Sequence, residues 1–237
     1  YKNEDGTIPI PDSTTNPPGF VRLYAVSSES PDFAFDMNVL DNQIQTDIHN
    51  GLFITEIAGL AFAGLQSIRS IVFNSHINYI GPAAFMFTSL ERFTFNDTNV
   101  HIRLARYTFM EMSFLLNIGE TMVIPQNISV IPTGCFLSNS SLSRISFPYV
   151  KKIQSESFYN TNVVDIFVTT HLKEIEANAF KSHDDSPIFT VRFQPQLYEV
   201  DRVTSLSLIN YDISYNKISR DAFYYDASTS FIIYDVD

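Results

Sequence analysis

The sequence predicts an α/β solenoid: stacked short coils with a parallel β-sheet on one face and short turns, 3₁₀ or helical corners on the other. Two patterns predict it. The first is a phenylalanine anchor at Phe62, Phe85, Phe109, Phe136, Phe158, Phe180 and Phe223. Immediately before each anchor stands a small residue: Ala61, Ala84, Thr108, Cys135, Ser157, Ala179 or Ala222. Five positions before it stands an aliphatic one: Ile57, Ile80, Leu104, Ile131, Ile153, Ile175 or Ile218. Eight before it come Ile54, Ile77, Ile128, Val150, Leu172 and Tyr215, with His101 as the polar exception. The second pattern follows the anchors: Ile68/Ile71/Phe73, Leu90/Phe93/Phe95, Leu142/Ile145/Phe147, Val163/Ile166/Val168 and Ile188/Val191/Phe193. Its last two positions alternate with period two, as a short half-buried strand does. Each near-copy has one apolar side and can bury it only against another copy, so the chain reads as a repeat protein.

Composition supports one elongated body. Apolar residues make up 45% of the 237, enough for a continuous core. The aromatics are 21 Phe and 12 Tyr with no Trp, which suits phenylalanines inside and tyrosines outside. A net charge of −11 disfavours nucleic acid and anionic lipid as partners, while leaving room for a local basic strip. A single cysteine excludes an internal disulfide framework, and Cys135 in the small slot reads as a buried small hydrophobe. No apolar run is long enough for a transmembrane helix, and no signal peptide is visible. The chain opens at Tyr1 without Met, the expectation for a processed product whose export signal has been removed.

In order along the chain, residues 1–19 carry Pro9, Pro11, Pro17 and Pro18 among polar residues and read as a flexible tether. Residues 20–51 read as an N-terminal β cap, with strands at Val21/Leu23/Ala25 and Phe33/Phe35/Met37/Val39, because terminal coils must differ to stay soluble. Residues 52–237 form the solenoid of about eight coils, on the order of 40 Å long at the strand spacing. Coil three is irregular, with a long stretch from Met110 to Pro125. After Phe193 the pattern decays through Leu197, Val200 and Leu206, so the last two coils are irregular.

The unit Ile-x-x-x-Ala-Phe followed by Leu-x-x-Ile-x-Phe-Pro, seen over residues 131–148 and 175–193, resembles the BspA-like leucine-rich repeat. The likeness covers about residues 52–235, and the Ala-Phe pair is typical of that subclass. The family often has Gly-Cys after the pair; here Ala63-Gly64-Leu65 and Leu137-Ser138-Asn139 stand there, as in a diverged member. The resemblance implies a right-handed leucine-rich-repeat superhelix, exported to a cell surface or secreted, often as an outer-membrane lipoprotein. Some members adhere to host matrix proteins or to other cells.

No seat for catalysis is visible, so an enzyme is not expected and no cofactor is implied. The chain has no phosphate-binding Gly-rich loop and no nucleophile elbow. His76 and His171 share a repeat position four coils apart, too far to share a metal; His49, His101 and His183 read as surface residues. His183, Asp184 and Asp185 lie in a polar loop. Asp165, Glu174 and Glu176 come near one another along the coil but read as solvated acids, not a catalytic pair. Asn96, Asn127 and Asn139 head glycosylation triplets.

The binding candidate is the outward side of the strands. Stacking makes one ladder of Val72, Thr94, Ser146, Phe167 and Arg192, and a second of Ser70, Arg92, Arg144, Asp165 and Thr190. Arg92, Thr94, Arg144, Ser146, Asp165, Phe167 and Arg192 are the predicted contact residues, since Arg and aromatics are enriched at binding hot spots. The expected function is a surface protein-interaction or adhesion module holding a host matrix or cell-surface protein. A membrane would be reached only through an N-terminal anchor outside this sequence. The alternatives are a glycan-binding or glycan-cleaving surface solenoid, or a structural spacer.

Overall fold

The structure is a computed structural model that describes residues 20–23, 33–47, 52–95, 100–112, 121–163, 165–168, 171–181, 188–193, 217–219, 222 and 230–235. The tether expected over residues 1–19 lies outside the described residues. Two series of strands alternate along the chain. One is mostly very short: β1 (Phe20–Leu23), β3 (Phe53–Ile57), β5 (Tyr79–Ile80), β7 (Arg103–Leu104), β9 (Val130–Ile131), β11 (Lys152–Ile153), β13 (Glu174–Ile175) and β15 (Lys217–Ile218). The other is longer: β2 (Phe33–Asp36), β4 (Ile68–Phe73), β6 (Arg92–Phe95), β8 (Thr121–Val123), β10 (Arg144–Phe147), β12 (Asp165–Val168), β14 (Ile188–Phe193) and β16 (Ser230–Asp235). Each strand pairs in parallel with the next of its own series, giving sheets β1-β3-β5-β7, β9-β11-β13-β15, β2-β4-β6 and β8-β10-β12-β14-β16. The chain therefore winds as a parallel β-solenoid.

The aliphatic column five before each anchor, where a turn or a helical corner was expected, is a second parallel sheet. Two residues suffice for each strand there, because one side chain points out and the next in. Ile57, Ile80, Ile131 and Ile153 are fully buried, and Ile175 nearly so. The corner that follows is a turn with a repeated backbone signature, not a helix. Two positions before the anchor, Leu60, Ala83, Tyr107, Gly134, Glu156 and Asn178 all hold positive φ; two after it, Gly64, Phe87, Glu111, Ser138 and Asn160 do the same.

This signature disposes of the backbone hydrogen bonds. The N–H groups of Leu60, Phe62 and Gly64 donate to the carbonyls of Pro82, Ala84 and Met86 in the next coil. Those of Ala83, Phe85 and Phe87 reach Arg106, Thr108 and Met110, and those of Tyr107, Phe109 and Glu111 reach Thr133, Cys135 and Leu137. The intervening N–H groups bond back within the turn, as Met86 does to Ala83 and Met110 to Tyr107. The buried corners thus meet the requirement that interior backbone polar groups be paired.

The core is a pile of phenylalanine rings. Phe62, Phe85, Phe109, Phe136, Phe158 and Phe180 stack in sequence with centroids 4.7, 5.4, 5.4, 5.2 and 5.0 Å apart and ring planes within 18°. Coil spacing sets those distances: strands about 4.8 Å apart leave room for one ring per coil. The small residue before each anchor is buried in every described copy. Its polar versions are satisfied, since Thr108 Oγ1 donates to the Ala105 carbonyl and Ser157 Oγ to that of Gln154, both at 2.6 Å. Cys135 is fully buried, and burial pushes its thiol far up, so it behaves as a neutral small hydrophobe.

At the N-terminal end β1 and β2 extend both sheets, and Phe35 closes the pile edge-on against Phe62 at 5.2 Å. The strand expected through Val39 stops at Asp36. There the Asp36 carboxylate accepts the Asn38 N–H at 2.9 Å, an N-cap that starts helix α1 (Met37–Asp47). Met37 is buried while Val39 is exposed, the order a helix imposes. Asp41, also on α1, is buried and accepts the Ile54 N–H at 2.8 Å and the Asn74 amide. Asn74 in turn donates to the Ile54 carbonyl and accepts the Ile77 N–H, both at 2.8 Å, tying α1 to the first two coils.

Candidate functional site

The outward ladders exist in the register that stacking requires. Ser70 lies beside Arg92 and Val72 beside Thr94 across β4 and β6. Arg144 lies beside Asp165, and Asp165 beside Thr190; Ser146 lies beside Phe167, and Phe167 beside Arg192. Arg92, Thr94 and Arg144 are exposed and Ser146 is half-buried. For Asp165, Phe167 and Arg192 the backbone register is described, and their side chains lie outside the described residues.

The ladders are not continuous, however. β6 and β8 belong to different sheets, so the Arg92/Thr94 rung and the Arg144/Ser146 rung are not hydrogen-bonded neighbours. Between them stands β8 of the irregular coil three, whose Thr121 pairs with Arg144 and whose Val123 pairs with Ser146. Val123 is 58% exposed, an apolar residue in the middle of the face. Sequence reading missed this strand, although Met122 and Ile124, both buried, carry the period-two signal. His101 is a related case: Ile102 fills the buried slot, and His101 sits at the surface with Nε2 3.2 Å from Ser129 Oγ.

The second sheet presents an outward ladder of its own, which sequence reading did not foresee. Arg22 is ion-paired to Glu56, the Arg103 guanidinium sits 5.3 Å from the Tyr79 ring centre, and Lys152 spans Glu174 and Glu176 at 3.0 and 2.6 Å. Bonds to the two carboxylates raise the Lys152 ammonium. Burial works to raise Glu176, but bonds from Lys152 and from the Ser155 N–H and hydroxyl outweigh it and hold it below the ordinary value. Opposite charges in facing positions make this side self-neutralising. Glu174 and Glu176 therefore act as partners of one lysine.

The remaining candidates have local roles. His76 stacks on Phe53 with centroids 3.7 Å apart, and His171 lies 5.2 Å from Tyr149. His49, His183, Asp184, Asp185 and Asn96 lie outside the described residues. Asn139 is fully buried, donating to the Phe109 carbonyl at 2.7 Å and accepting the Met112 N–H at 2.6 Å. Asn127 is 8% exposed. A glycan on Asn139 is incompatible with this packing. Among the described residues no group of three His, Cys, Asp or Glu is placed to hold a metal ion, and no helix is long and apolar enough to cross a membrane.

A parallel solenoid with in-register outward ladders is the architecture of a repeat protein. The chain matches the BspA type leucine rich repeat region in 6 copies, over residues 34–122, 55–186 and 120–230. It belongs to that family. A search of curated proteins gave no match.

Proposed function

We propose that this chain is a cell-surface or secreted protein-interaction module, an adhesin in the working sense, that holds a protein ligand on the outer face of its long-strand sheets. Residues 52–237 are the binding solenoid, wound right-handed as parallel crossovers overwhelmingly are. Residues 20–51 close its N-terminal end, and residues 1–19 tether it toward an anchor such as a lipid. The module is not a catalyst.

The observation that carries the reading is the make-up of the outer face of the long strands. Arg92, Thr94, Thr121, Val123 and Arg144 are exposed there, with Asp165 in register beside Arg144, so arginine, hydroxyl, carboxylate and apolar groups share one face. Arg and apolar groups desolvated together are what protein ligands engage. The partner would be a matrix or cell-surface protein.

Surface plasmon resonance against purified laminin, collagen and intact host-cell membranes tests this. Binding that falls about tenfold or more in Arg92→Ala/Arg144→Ala/Phe167→Ala, and is unchanged in Lys152→Ala, is the expected result. Binding equally lowered by Lys152→Ala, or absent from the whole panel, would overturn it.

A further inference from the structure

Along one corner edge, four successive coils form a groove of about 390 Å³ lined by Gln66, Phe87, Glu111, Ser138 and Ser140. The geometry points to a neutral, extended oligosaccharide as its ligand, at a site separate from the sheet face proposed above.

Other ligand classes fail on the groove's own chemistry. The backbone N–H groups of Phe87, Glu111 and Ser138 are spent on the carbonyls of Met110, Leu137 and Tyr159, so these three central positions offer none to a peptide strand or an anion. No Lys or Arg lines the groove, and the Glu111 carboxylate repels phosphates. One carboxylate is too few for a hard cation, which takes about six to eight oxygens. Four polar residues out of five make a poor seat for a purely apolar molecule. An uncharged polyhydroxyl compound fits this lining, and the volume falls in the usual range of small-ligand sites, about 300–1,000 Å³.

Phe87 points the same way. It occupies the positive-φ slot that Gly64 fills one coil earlier and Asn160 three coils later, with φ 58° and 43% exposure. Neither burial nor backbone preference accounts for a phenylalanine there. Its exposed ring offers a flat apolar surface to the C–H face of a pyranose, while the surrounding hydroxyls, amide and carboxylate meet its O–H groups. The polar lining is pre-positioned. Gln66 Nε2 donates to the Phe87 carbonyl, Ser89 Oγ donates to Gln66 Oε1 at 2.8 Å, and Asn160 Nδ2 donates to Ser138 Oγ at 3.3 Å. Coils about 4.8 Å apart repeat at nearly the length of one sugar unit in an extended glycan, so successive coils meet successive units.

Isothermal titration and saturation-transfer NMR with cellotetraose, chitotetraose, xylotetraose and mannotetraose test the assignment. The expected result is binding of at least one of them, weakened about tenfold or more in Phe87→Gly, kept in Phe87→Tyr, and unchanged in Tyr149→Ala. Phe87→Gly relieves the positive-φ backbone, so its melting temperature rises and a folding defect cannot explain the lost binding. No signal with any of the four sugars, or undiminished binding in Phe87→Gly, would overturn the assignment. Because Phe87→Gly reports on this groove and the Arg92/Arg144/Phe167 variant on the sheet face, failure of either proposal leaves the other standing.

Discussion

At the residue scale the corners make an unusual demand, a left-handed backbone two positions either side of each phenylalanine, met mostly by residues other than glycine. Gly64, Gly134, Asn160 and Asn178 adopt it readily, but Leu60 at φ 63°, Phe87, Tyr107 and Glu156 do so at a cost of about 1–2 kcal/mol each. The bonds that the Leu60, Phe87 and Tyr107 N–H groups make to the next coil hold the conformation in place. Leu60 is 59% exposed and loses little packing when removed. Leu60→Gly is therefore expected to raise stability by about 1 kcal/mol, a melting temperature some 2–4 °C higher by calorimetry; an unchanged or lower value would count against the strain account. This layer was scarcely legible in the sequence, because the stack imposes the left-handed turn where local preference opposes it. The small slot before each anchor, by contrast, could be read from Ala61, Ala84, Cys135 and Ser157 alone, since the position is buried between coils. Asn139 heads a glycosylation triplet, yet it is a buried amide that joins two coils, a role the triplet does not reveal.

At the element scale the unit of stability is the contact between coils. Phe136 lies between Phe109 and Phe158, 5.4 and 5.2 Å away, so Phe136→Ala opens a void against both neighbours. The expected loss is about 3–5 kcal/mol by urea titration, and a loss under about 1 kcal/mol would mean that the rings are not a shared core. The cap helix adds a pH dependence through Asp41. Burial raises its carboxyl, against the bonds from Ile54 and Asn74 and the charge of His76. The raised folded value means that the native state holds this proton more tightly than the unfolded chain. The associated stability is present below about pH 4 and is lost as pH rises through the folded value. Relative to Asp41→Asn, which does not titrate, the native chain should lose stability as pH rises across that window; a gain would reverse the sign and refute the assignment. The long strands were legible because they alternate. The short strands were not, since two residues carry no period. The helix was missed because Phe33, Phe35, Met37 and Val39 continue an alternation that the Asp36 cap interrupts.

At the scale of the whole molecule the fold was legible from its columns and the outward face of the long strands only in part. Stacking copies with equal spacing is enough to predict the rungs Ser70–Arg92 and Arg144–Asp165, and the structure places them in register. The interruption between β6 and β8, and Val123 within it, accompany the extra length of coil three, which the anchor spacing records without showing where a strand falls or where the sheet breaks. Across that interruption Phe85, Phe109 and Phe136 remain stacked, so the core stays continuous where the long-strand sheet does not. Native-state hydrogen exchange by NMR tests this most directly, read at the anchor amides Phe62, Phe85, Phe109, Phe136 and Phe158, each of which donates to the following coil. A single cooperative stack predicts that all five exchange slowly and with one common opening free energy. Fast exchange at these amides, or two separate opening energies divided at Phe109, would contradict it.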